Sequence, residues 1–242
     1  MADNVSNPLS VHGALYNKLN LINSQERGTV TTRYIDTVLE EAMQIVYENL
    51  VDKAEMAPRV TEDLLPLTVI RKKLDFISAN EEYSLFALPV DYFRRKRLYG
   101  MASKAGCAPR RMRLWKATAH ELNNLEFDEN FSPSFVWQST YFDLVNEGVR
   151  VFHYGRFRLE EVYADYFKKF TPIRCAAMEE ENYYLWYDKT KVTSTQETEF
   201  KENYILRRIT DVAALIVYRD KLNQTGLETK LKTLMAFENL YN

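Results

Sequence analysis

Only 2 cysteines occur in 242 residues, so no disulfide framework is available and a reducing compartment is the simple expectation. The 3 histidines, His12, His120 and His153, stand apart from one another and from Cys107 and Cys175, at no spacing that suits a metal. Glycine is scarce at 7, and none of it falls in a Walker loop, a dinucleotide fingerprint or a nucleophile elbow. What remains for an enzyme is a thiol nucleophile with a distant base, Cys107 or Cys175 with His120 or His153. Any chain with this many Cys and His offers as much. The "EEEN" at 179–182 could hold a cation but reads more simply as a solvated loop. The expectation is a protein with no catalytic residues, no metal and no cofactor.

Long apolar runs are missing as well, so no membrane-spanning helix and no membrane partner are expected. The first residues, "MADNVSNPLSVHG", carry neither a basic nor an apolar leader region, so no secretory signal is expected. Net charge is only −2, which excludes a chain that is polycationic as a whole.

What the chain does contain is a sizeable apolar fraction, 46%, with 27% charged residues, enough to bury a core. It also holds 16 Tyr and 13 Phe. Tyrosine has an apolar body and a polar tip, which suits a crowded core and equally a surface that is wet before assembly and dry after it.

Periodicity predicts two strong helices. Over 32–54, Ile35, Val38, Leu39, Ala42, Ile45, Val46 and Leu50 recur at helical spacing, with Thr31 or Thr32 as the cap and Asp36 near the positive end of the dipole. Over 198–222, Phe200, Tyr204, Ile205, Ile209, Val212, Ala213, Ile216 and Val217 form one face, with Thr198 as the cap and Gly226 beyond the end. A capped turn is expected at 61–66. Between the helices, "LTVIRKKLDFI" and "YSLFALP" read as two strands split by "SANEE". "LPVDYFRRKRLYG" at 88–100 reads as a short helix opened by Pro89 and Asp91, running to about Lys104 and stopped by Gly106 and Pro109. Residues 110–170 alternate charged and apolar positions, with hairpin signals at Asn146–Gly148 and Tyr154–Arg156. Residues 1–30 read as an extended arm with a helical turn near Leu15–Leu19. Residues 176–198 read as a polar, Tyr-rich connection, and 223–242 as an amphipathic tail.

The expected fold is therefore α+β. A helical bundle is built from the sequence-distant helices 32–54 and 198–222, and it carries a β-rich insertion at about 67–172 with an embedded short helix. Residues 31–222 form a single domain, flanked by terminal arms at 1–30 and 223–242.

Charge is segregated. From Arg94 to Lys116 there are nine cations and no carboxylate, which leaves 23 cations elsewhere against all 34 acids. Arg94, Arg95, Lys96, Arg97, Arg110, Arg111 and Arg113 are the candidate site. They admit three readings: a grip on nucleic-acid phosphates, a solvated face, or a surface for another protein chain, including a neighbouring copy.

Three stretches carry a resemblance. They are "LPVDYFRRKRLYG", then "NNLEFDENFSPSFVWQSTYFDLVNEGVRVFHYGRFRLEEVYADYFKKF", then "YILRRITDVAALIVYRD". In order and spacing over 31–222 the chain resembles the head-to-tail adaptor proteins of podovirus-like tailed phages, also called connector, ring or tail tubular proteins. The ring proteins of crAss-like phages look most similar. The resemblance implies a helical bundle with a projecting β insertion and no catalytic residues. It implies a structural role in the virion neck, assembled in the host cytoplasm. There a ring of about twelve copies would dock to the portal protein, meet further tail or ring proteins and pass double-stranded DNA through its channel. In that setting the basic residues would face a neighbouring subunit or the DNA channel. The alternative is a stand-alone nucleic-acid-binding protein that uses 94–116.

Overall fold

The computed structural model describes residues 8–20, 31–54, 62–118, 121, 132–175, 184–186, 189, 191–192 and 198–221. Expectations for the tail at 223–242, Gly226, His120, the "EEEN" run and most of 176–198 lie outside these residues. The chain divides into two compact units. One is a helical unit of residues 1–66 and 170–242, and the other is a sheet unit of residues 67–169.

The sheet unit overturns the expected fold class. The protein is a mixed α/β chain dominated by one curled sheet of eight strands, with three helices among the described residues, and is not a helical bundle carrying a β insertion. The strands are β1 (Thr68–Lys73), β2 (Asp75–Ala79), β3 (Tyr83–Ala87), β4 (Tyr92–Lys104), β5 (Cys107–Lys116), β6 (Ser139–Val145), β7 (Gly148–Phe152) and β8 (Arg158–Lys168). Their order is β1-β8-β4-β5-β6-β7-β3-β2. Neighbours are antiparallel except β5 and β6, which run parallel.

The two ends of that order are nearly the same piece of chain. Leu74 alone separates β1 from β2, and one residue spans only about 3.5 Å. Thr68–Lys73 pairs with β8 and Asp75–Ala79 pairs with β3, so the sheet curls until its two edges meet. Leu74 turns its side chain into the core and donates its N–H to the Val162 carbonyl at 2.8 Å. The sequence run 67–77, read as a single strand, is thus a bent one that serves both edges. Inside the curl, Phe86, Met112, Phe142, Val149, Val151, Val162, Ala164 and Tyr166 form the core, each at most 1% exposed. Buried Met112 and Leu114 alternate with exposed neighbours along β5, as a curled sheet with one inner face requires.

The helix expected over 89–104 is β4. Leu98, Gly100 and Ala102 are buried at a period of two, with Tyr99 and Met101 between them, and tyrosine and phenylalanine favour strands. Four consecutive cations supply no helical apolar stripe to compete. Asp91, expected at a helix N-terminus, instead accepts a hydrogen bond from the Tyr166 hydroxyl at 2.8 Å, and its carbonyl accepts from the Lys169 N–H.

Both turn signals are turns, but only one makes a hairpin. Asn146 and Glu147 join β6 to β7, with Val145 opposite Gly148. Gly148 has φ +149°, and a Cβ there would overlap the Phe86 carbonyl oxygen, so only glycine fits. At Tyr154–Arg156 the chain turns with φ positive at Tyr154 and Gly155, yet β7 pairs with β6 and β3 while β8 pairs with β1 and β4. That turn is a crossover.

In the helical unit, α1 spans Pro8–Asn20, α2 Thr32–Ala54 and α3 Asn203–Lys221. The extended-arm reading fails over 8–20, because Val11, His12 and Leu15 are fully buried. Their spacing is helical, but Asn, Ser and Gly around them mask the stripe. α1 and α2 both pack on α3. The Thr31 hydroxyl caps α2 by accepting from the Tyr34 N–H at 3.3 Å. α2 buries Ile35, Leu39, Ala42, Met43 and Tyr47, and Tyr47 meets Phe170 and Phe200 edge-on. α3 buries Ile205, Ile209, Ala213 and Val217. It begins five residues later than expected. Ile45 and Tyr204, placed on the buried faces by periodicity, are 39% and 50% exposed.

Candidate interaction surface

Strands β4 and β5 hold all seven candidate cations, but bulges divide them among different faces. Register shifts between Tyr92 and Arg94 and between Arg95 and Arg97 break the alternation of β4. Residues paired directly across two strands point to the same face. Arg95 lies opposite Tyr166, and its guanidinium sits 5.0 Å from the Phe142 ring centroid, on the inner face. Lys96 approaches the Phe167 ring at 5.7 Å. Arg94 is half-buried opposite Phe167. Arg110 lies 5.2 Å over the buried Phe135 ring.

Arg97, Arg111 and Arg113 share the outer face. Arg97 donates twice to Asp165 Oδ2, from Nε at 3.0 Å and from the terminal guanidinium at 2.7 Å. Asp165 is itself fixed, because its other oxygen accepts from the Arg71 N–H at 2.7 Å. Arg111 stacks 4.0 Å over Tyr99, and Tyr99 stacks on Tyr163 with centroids 5.2 Å apart and planes 12° apart. The Tyr163 hydroxyl donates to Glu161 at 2.7 Å, and Lys73 Nζ lies 2.6 Å from the same carboxylate. One continuous ladder, Arg111–Tyr99–Tyr163–Glu161–Lys73, therefore crosses β5, β4, β8 and β1. Its charges tune one another. The hydrogen bond to Glu161 raises the Lys73 pKa, the same bond lowers that of Glu161, and the Tyr163 phenol is raised by donating to Glu161.

Arg97, Tyr99, Arg111, Arg113, Trp115 and Gln138 line an open depression of about 590 Å³. Beside it the turn before β6 carries Val136, 71% exposed, and Trp137, 82% exposed. That turn is tied to β5, since the Gln138 carbonyl accepts from the Arg113 N–H at 2.7 Å. Trp115 is 54% exposed opposite Tyr141. Among the described residues no carboxylate forms an ion pair with Arg110, Arg111 or Arg113. Aromatic stacking holds the Arg111 guanidinium in place, so less rotamer freedom is lost when its fork meets a partner. Arginine with exposed Tyr and Trp is the composition of an interface centre.

The sequence pointed to the cations but not to the aromatic side chains that frame them. Trp115, Trp137, Tyr99 and Tyr163 become one surface only through strand register. The alternation Arg111-Arg113-Trp115 on one face was the available signal.

Of the remaining candidates, His153 is fixed by two hydrogen bonds. His153 accepts the Gly155 N–H at Nδ1, so its proton sits on Nε2 and is donated to Ser84 Oγ at 3.1 Å. Burial lowers its pKa. Cys107 is exposed and Cys175 buried, and neither is in a disulfide. Among the described residues no group of three His, Cys, Asp or Glu could hold a metal ion, and no helix is long and apolar enough to cross a membrane.

No protein-family model matches the sequence, and no curated protein matches it.

Proposed function

We propose that the chain is a structural subunit that works by contact with other protein chains, and specifically a ring subunit of the neck of a tailed phage. The observation that carries the first part is the outer β4–β5 face, where restrained guanidiniums and exposed tryptophans line one open depression. Such a face gains most when a partner's carboxylates and apolar groups cover it. The placement in a phage neck rests on the resemblance in the three stretches quoted above. The fold implied by this resemblance differs from the curled eight-stranded sheet, so order and spacing alone support the placement. In this reading copies form an annulus beneath the portal protein and let double-stranded DNA pass. Imaging the purified protein mixed with portal particles tests it. An added annular layer is expected, and bare portals at saturating protein would overturn it.

The second reading, a nucleic-acid-binding protein, is favoured by the same alternation of arginine and aromatic side chains, which suits phosphates and stacked bases. Salt separates the two readings. A binder with several phosphate contacts loses about 10³–10⁵ in affinity between 50 and 200 mM salt. A channel subunit shows little DNA affinity at physiological salt.

A further inference from the structure

The two units carry opposite charge. Residues 67–169 hold 17 Lys and Arg against 13 Asp and Glu, a formal +4. The remaining residues hold 15 against 21, a formal −6, and the two sum to the −2 of the chain. Among the described residues of the helical unit an acidic stripe lies on α2, and its first member, Glu41, pairs with Arg219 at 3.3 Å. Glu41, Ile45, Glu48 and Asp52 lie along the exposed side of α2, opposite its buried stripe. Their spacing of four, three and four residues keeps them on one face.

We infer that this α2 stripe, on a second copy of the chain, is the occupant of the outer β4–β5 face. Resting on the assembly reading above, the inference adds which two surfaces meet. The dimensions are comparable. Glu41 to Asp52 spans about 16 Å at 1.5 Å per helical residue. On the outer face Arg111 to Trp115 spans about 13 Å at 3.3 Å per strand residue. The chemistry also matches. Arg111 and Arg113 present guanidinium forks to carboxylates, and Trp115 presents an apolar surface to Ile45. A bare acidic patch would not select this face, whereas acids with an exposed isoleucine among them suit two arginines followed by an exposed tryptophan. The two surfaces differ, so the contact is head-to-tail. Each copy uses its sheet unit towards one neighbour and its helical unit towards the other, and repetition gives a closed ring or an open filament.

Two charge-reversed variants test the contact, Arg111→Glu with Arg113→Glu, and Glu48→Arg with Asp52→Arg. All four side chains are exposed, so both proteins are expected to melt as the wild type does. Sedimentation velocity at low salt should show concentration-dependent oligomers for the wild type that disappear at high salt. Each variant alone should lose them, because like charges then face each other. An equimolar mixture of the two variants should regain them, because opposite charges meet again. A wild type that stays monomeric at low salt, a variant that associates as the wild type does, or a mixture that stays monomeric would each overturn the inference. The ring reading is scored separately on portal particles. If both variants still add an annular layer, the ring stands and this interface falls. If the charge swap works in solution but no layer forms on the portal, the interface stands and the ring falls.

Discussion

Nε2 of His12 lies 2.6 Å from Oδ1 of Asp36, and neither side chain is exposed to solvent. The other Asp36 oxygen accepts the Cys175 N–H at 3.2 Å. One carboxylate thus joins α1, α2 and the segment that follows the sheet unit. Removing Asp36 takes away the partner of His12 Nε2 and of the Cys175 N–H, and removing His12 leaves one buried carboxylate oxygen without its 2.6 Å contact. His12→Ala or Asp36→Ala is expected to cost about 3–5 kcal/mol, read as a lower urea midpoint. An unchanged midpoint for both would mean that the pair adds nothing to the helical unit.

Two glycines should respond oppositely to the same change. Gly148→Ala sets a methyl group against the Phe86 carbonyl at a φ that alanine avoids, and should destabilise the sheet unit by about 2 kcal/mol or more. Gly13 lies within α1 with nothing within 4 Å of its added Cβ. Gly13→Ala should stabilise by about 0.5–1 kcal/mol. Thermal melts of the two proteins decide the matter, and a shift of the same sign in both would contradict the assigned backbone.

Tyr166 is 1% exposed and donates its hydroxyl to Asp91, and burial together with that bond pushes its pKa up to about 12. An unfolded tyrosine ionises near 10. The neutral phenol is therefore favoured in the folded state. This contribution is present in full below about pH 10 and is lost as pH rises to about 12. Absorbance titration of the phenolate should show a late phase that Tyr166→Phe removes. A Tyr166→Phe protein that keeps the late phase would place the perturbed group elsewhere.

Trp137 is 82% exposed, and its loss should leave stability within about 0.5 kcal/mol of wild type. Its place beside the arginine depression makes it a candidate anchor. Trp137→Ala should weaken assembly by about 2 kcal/mol, measured as retention in the annular layer. In the wild type, acrylamide should quench this tryptophan in the free protein and be excluded from it in the assembly. Equal quenching in both states would remove the turn from any interface.

The legible parts of the fold were those whose period was unbroken. Helix α2, the β6–β7 hairpin and the alternation of β8 could be read from residues alone, because each buries one face against solvent on the other. β4 was lost because bulges just before and within its four consecutive cations break the alternation. α1 was lost because its buried face is short and one of its members is His12, whose partner Asp36 lies 24 positions away. Closure of the sheet through Leu74 was invisible for the same reason, since it depends on which strands pair and not on any local signal. Of the candidate surface, the cations were legible. The stacking of Arg111 on Tyr99 and of Tyr99 on Tyr163 was not, because register alone brings them together.

The first and last strands of the sheet unit are neighbours, with Thr68 opposite Phe167. Paired residues in antiparallel strands have Cα atoms only about 5 Å apart. All 103 residues of the unit therefore leave and rejoin the rest of the chain across a gap that a tight turn could bridge. Once folded, the unit burdens its host with little more loop-closure entropy than such a turn would. Lengthening any loop within the sheet unit therefore adds almost nothing to the closure cost borne by the segments that flank it.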